Sequence, residues 1–199
     1  MRTRLAGLSL CLVGFLCGRL TTLAPALAQD AAPPAAAPSE DAPARAVGEV
    51  PAGQPRYLAA MRDELTAMGI ADAACEATDA QRAHCRLTQH GASTDREYEV
   101  NLAYSDVTDT IYMYVDRYLV VPSDGEHADA VMRRFMELNW TMLAAKLEWD
   151  PTDGEVRLAM VLNTDSNFDR RAFRSVLRAL GALADRHYGE LNRLAETGH

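Results

Sequence analysis

From Tyr98 to Tyr104 apolar and aromatic residues recur at every second position, a pattern that fills one face of a pleated strand and cannot be gathered on one face of a helix. Tyr98, Val100, Leu102 and Tyr104 alternate with Glu97, Glu99 and Asn101, and Thr110 to Val121 is a longer aromatic and β-branched run. Ser105 to Asp109 joins the two strands, and a weaker strand is expected around Cys85 to His90. Ahead of this meander, Leu58, Met61, Leu65 and Met68 follow helical spacing and Gly69 supplies the stop.

The second half repeats the contrast of periods. Ser123-Asp124-Gly125-Glu126 has the Ser-x-x-Glu spacing of a capping box, which predicts a helix start, and Val131, Phe135, Leu138 and Met142 then share a face. Two strands follow, with Ala145, Leu147 and Trp149 inward on the first and Val156, Leu158, Met160 and Leu162 on the second. Asp150-Pro151-Thr152-Asp153-Gly154 between them reads as a hairpin turn. A helix from about Phe168 to Leu194 closes the chain, burying Phe173, Val176, Leu177, Leu180, Leu183, Ala184, Leu191 and Leu194. The expected order is αβββαββα, an α+β fold with an antiparallel sheet packed against helices.

Specific residues add to the pattern. Leu138-Asn139-Trp140, Lys146-Leu147-Glu148-Trp149, Asp153-Gly154-Glu155-Val156 and Asn163-Thr164-Asp165, followed by the Leu/Ala-rich helix ending near His187-Tyr188, resemble the YbjN family, described as bacterial sensory transduction regulators. The resemblance covers roughly Met132 to Leu194 and is thin before Ser105. It implies the fold of class I type III secretion chaperones, whose element order is the one reached above from periodicity. It brings no catalytic residue, and an export signal with a linker departs from the cytoplasmic character of most members.

That signal is expected in residues 1–28. Arg2 and Arg4 precede an apolar run from Leu5 to Cys17, and Ala26-Leu27-Ala28 supplies the small-x-small pattern for cleavage before Gln29. A transmembrane anchor is the rival, but the run is shorter than the roughly 18 to 20 apolar residues needed and Arg19 interrupts it. Residues 29–55 hold nine Ala and six Pro, too little apolar area to offset ordering entropy, and read as a disordered linker with a Pro-rich docking motif as the alternative. The folded domain is therefore assigned to 56–196, without membrane insertion after cleavage, in the periplasm or secreted. The chain carries −8, and loss of Arg2, Arg4 and Arg19 leaves 17 basic against 28 acidic residues, a surface that argues against nucleic acid as partner.

Cys75 and Cys85 are the only cysteines outside the export signal, and an exported pair is expected to form a disulfide. Zinc held by Cys75, His84, Cys85 and His90 is the alternative, disfavoured because adjacent strand residues point to opposite faces. Asp165 to Asp169 begins like a calcium loop, but Arg170 stands where the turn glycine belongs. The expected role is capping of the last helix by Ser166 or Asn167, with Asp169 complementing the dipole.

Arg170, Arg174 and Arg178 recur at i, i+4 and i+8, which reads as a solvated face or as a docking stripe for an acidic surface. Tyr112, Tyr114 and Tyr118 lie in a strand that is apolar or aromatic on both faces. They are candidates for a protein interface, with a sandwich covering both faces as the alternative. No Gly-rich phosphate loop, Gly-x-Ser-x-Gly elbow or His-Glu-x-x-His occurs, so no catalytic residue and no cofactor is assigned. The expected function is non-catalytic binding of a protein or peptide, with a second copy of the chain among the candidate partners. The alternative is a small-ligand or metal sensor built on Cys75 to His90.

Overall fold

A computed structural model describes residues 53–165 and 167–198. The expected export signal, most of the linker and Ser166 lie outside the described residues. Helix α1 (Leu58–Ala67) is followed by β1 (Ala74–Ala77), β2 (Arg82–His90), β3 (Glu97–Ser105) and β4 (Thr110–Val120), then α2 (Ala128–Thr141), β5 (Ala145–Trp149), β6 (Glu155–Asn163) and α3 (Arg170–Thr197). The fold is α+β, with one strand more than periodicity indicates. The extra strand, β1, is four residues long and buries none of its side chains fully, so it leaves no hydrophobic alternation to read.

All six strands form one antiparallel sheet in the order β1-β2-β3-β4-β6-β5. The registers place Cys75, Cys85, Leu102, Met113, Met160 and Ala145 in a single row across its full width. The face carrying this row packs under the helices: Leu58, Met61 and Leu65 of α1, Val131, Phe135 and Leu138 of α2, and Phe173, Leu177, Leu180 and Ala184 of α3 join it in one core. Helix α1 lies against β1, α2 against β5, and α3 crosses β4 and β6. Gly181 allows α3 to approach β2, because a Cβ there would sit 2.3 Å from the Gln89 side-chain oxygen.

Two local expectations change. The Ser123 to Glu126 segment forms turns, with the Gly125 amide bonded to the Pro122 carbonyl (2.9 Å), and α2 starts five residues after Ser123 with His127 at its cap and no side-chain cap bond. Proline and glycine impose a turn that the capping box would have to replace. At α3, Asp169 itself caps, accepting from the Arg171 and Ala172 amides (2.8 and 2.9 Å). The β5–β6 turn forms as read: Asp150 accepts from the Thr152 amide, and Gly154 takes φ 77° where a Cβ would meet the Val121 backbone.

Candidate functional site

The sheet face away from the helices is open among the described residues, so the sandwich covering both faces does not form from them. Tyr112 and Tyr114 stand on this open face, half-buried, with ring centroids 5.0 Å apart. Tyr112 faces Ala103 and Val161 across the sheet, and Tyr114 faces Asn101 and Ala159. The Tyr112 hydroxyl donates to the Glu148 carboxylate, and the Arg157 guanidinium lies 4.9 Å from the centre of the Tyr114 ring. Burial foremost, and for Tyr112 the bond to Glu148, push both phenols above their ordinary range.

Tyr118 leaves this set. Between Val115 and Leu119 the β4 ladder is interrupted, four steps on β4 matching two on β6, and Arg117 takes φ 42°. The irregularity turns Tyr118 into the core, where it is 1% exposed and its hydroxyl donates to the Ala184 carbonyl at 2.8 Å. Simple alternation placed it beside Tyr112 because a bulge has no signature in period two.

The arginine row is also divided. Arg170 and Arg174 reach back to α1 and hold the carboxylate of Glu64, which is 2% exposed, at 3.1 and 3.0 Å. They neutralise a buried charge, which is a structural task. Arg178 alone faces a groove of about 500 Å³ with Met68, Ile70, Asp72, Thr88 and Gln89.

The most exposed apolar surface among the described residues was not singled out from the sequence. Met136, Trp140 and Leu143 are 71%, 90% and 103% exposed, at i, i+4 and i+7 along the outward side of α2 and its exit. Their signal was present as a second helical-period stripe beside Val131, Phe135 and Leu138. The row ends at a groove of about 450 Å³ whose walls include Met142, Leu143, Met160 and Leu183, with Arg186 and His187 among its polar members. Burial, then the neighbouring Arg186, lowers the His187 pKa from its ordinary value.

Each sheet edge is closed by a side chain from a helix. On β5, Asn139 of α2 accepts from the Leu147 amide (2.8 Å) and donates to the Leu147 carbonyl (3.1 Å), filling both outward backbone positions of that residue. On β1, Arg62 of α1 donates to the Cys75 carbonyl at 2.6 Å. Cys75 and Cys85 are directly opposite and joined by a disulfide, with Cα atoms 4.0 Å apart. The four candidate zinc ligands do not converge: the sulfurs bind each other, Cys85 points into the core, and His90 lies 3.6 Å from Glu97 at the far end of β2.

No family model matches the chain. No curated protein matches it either. Among solved structures, the crystal structure of the ExsC–ExsE complex is similar at 17% identity and a TM-score of 0.39, over 53% of this chain and 75% of that one.

Proposed function

We propose that the domain is a non-catalytic protein-binding module of the cell envelope, working in a regulatory or chaperone-like capacity. The observation that carries this reading is the row Met136, Trp140 and Leu143, three large apolar side chains held in water on a rigid helix and its exit. Exposed tryptophan and methionine are costly to leave solvated and are the residue types that anchor interfaces. The adjoining groove, with an apolar wall and a cationic side chain at its rim, suits an apolar side chain followed by an acidic group. The resemblance of Met132 to Leu194 to the YbjN family supports a regulatory role, and the expected signal in residues 1–28 supports export. The histidines on β2, at the start of α2 and on α3 occupy separate elements, in keeping with binding rather than catalysis.

A second copy of the chain is the second reading, favoured by the self-complementarity of the row. Two such stripes packed antiparallel would set methionine against indole, a favourable sulfur–aromatic contact. A photo-crosslinker at position 140, with the exposed Val120 on β4 as a control position, tests both in the native envelope. A discrete adduct at position 140 that disappears in Met136→Asp/Leu143→Asp, with the melting temperature unchanged, supports the module, and its mass tells a second copy from another protein. Equal labelling at both positions overturns the reading.

A further inference from the structure

We propose that the Cys75–Cys85 disulfide is a latch on the sheet edge, and that its reduction releases β1 and opens β2 to an extended peptide. The proposal is independent of the α2 row. Three of the four β1 residues are exposed and Cys75 is the only one packed against the core, so apolar burial does not hold this strand. Its attachments are the short ladder to β2, the Arg62 bond and the disulfide. Behind it, β2 pairs with β3 along all nine of its residues and buries Ala83, Cys85 and Leu87. Strand β2 therefore keeps its place when β1 departs. The opposite edge has no such weakness, because β5 buries Ala145 and Leu147 and is covered by Asn139.

The register defines what is uncovered. The Cys75 carbonyl turns outward to Arg62, so Cys75 and Cys85 are a non-hydrogen-bonded pair, and the pairs that exchange backbone bonds are Ala74 with Arg86 and Glu76 with His84. The opened edge accordingly offers the amides and carbonyls of His84 and Arg86. The segment that fits is extended, with a small residue beside Cys85 on the core face and an acidic residue opposite His84, flanked by Arg82 and Arg86.

The reductant is a dithiol of the Cys-x-x-Cys class. Its thiolate attacks Sγ of Cys75, the less buried of the two sulfurs, forming a mixed disulfide as the Cys75–Cys85 bond breaks and Cys85 leaves as a thiolate that takes a proton. The second reductant thiol then attacks the mixed disulfide and frees Cys75 as a thiol. Two electrons and two protons pass to the cystine, and the dithiol ends as its own disulfide.

Amide exchange on the full chain, oxidised and after phosphine reduction, reads the latch directly, with Cys75→Ser/Cys85→Ser as an independent route to the open form. The expected result is a loss of protection at His84 and Arg86 that exceeds the loss at Leu102 and Met113 by at least about tenfold, since the core amides register only the change in global stability. Unchanged protection at His84 and Arg86 would overturn the proposal, as would an equal loss across the sheet. A labelled peptide copying residues 72–78, with serine in place of Cys75, should bind the reduced chain saturably and the oxidised chain not at all. Equal binding to the two forms, or none to either, also overturns it.

Discussion

The two ends of the sheet are closed by different physics. At the β5 end a five-residue strand buries two apolar side chains, Trp149 donates to the Val121 carbonyl at 2.9 Å, and Asn139 occupies the free edge. At the β1 end a four-residue strand buries almost nothing and is held by a short ladder to β2, a covalent bond and one guanidinium. Packing makes the first end depend on the whole core, whereas chemistry makes the second end separable from it. A chain built this way can alter one edge without risking the other.

Leu180→Asp breaks the comparison altogether, because α3 packs on the central strands β4 and β6 between the two ends. Leu180 is fully buried in the core that holds Phe173, Leu177 and Ala184. An unpaired carboxylate there costs several kcal/mol, a large part of a typical margin of about 5 to 15 kcal/mol. The variant should be unfolded by circular dichroism at ambient temperature, and a folded variant with native melting would show that α3 does not pack as described.

Reduction of the disulfide should open the β1 end locally and also lower the stability of the whole domain through the unfolded chain. The bridge closes a loop with a sequence separation of 10, and its loss relaxes the unfolded chain by roughly 2 to 3 kcal/mol of entropic stabilisation. The melting temperature should fall on reduction in the natural chain and stay fixed in Cys75→Ser/Cys85→Ser. A reductant-dependent shift that persists in the double variant would place the effect elsewhere.

Asn139→Ala probes the other edge. It removes two bonds to Leu147, and since water can reach part of that edge the expected cost is about 1 to 2 kcal/mol, near the ordinary value for such bonds. Denaturant unfolding measures it, and the β1-end amides His84 and Arg86 should be unaffected. Aggregation of this variant but not of the natural chain would add that Asn139 guards against edge pairing.

The difference between the ends also explains what could be read in the sequence. Alternation located β3, β4, β5 and β6, and the helical stripes located the inward faces of all three helices, since each of these elements spends many residues on one buried face. The short β1 spends none, so nothing in the alternation marked it as a strand. The candidate surface fared worse for a related reason. Tyr118 was displaced by a bulge, and Arg170 and Arg174 were claimed by Glu64, a buried acid 106 and 110 residues away in sequence whose pairing follows from tertiary contact alone. Met136, Trp140 and Leu143 could be seen only once one apolar stripe of α2 was known to face the core and the other was left in water.

The smallest expected effect is a pH dependence that distinguishes the two ends by where it falls. His187 lines the groove beside α2 and β5, and burial together with Arg186 holds its pKa below the ordinary 6.5. The folded state therefore favours the neutral ring. Below about 6.5 the unfolded chain binds the proton more readily, so stability present at neutral pH declines as pH falls through that range. Asp185 lies at the other side, accepting from the Ser93 hydroxyl and the Thr94 hydroxyl (both 2.5 Å) and from the Ser93 amide (2.8 Å), and these bonds lower its pKa from the ordinary 3.8. Its stabilisation is complete above that value and is lost as pH falls through and below it. Melting curves from pH 7 to 3 should show a first decline removed by His187→Gln and a second, more acidic one removed by Asp185→Asn. If His187→Gln leaves the first decline in place, the groove histidine is not its source.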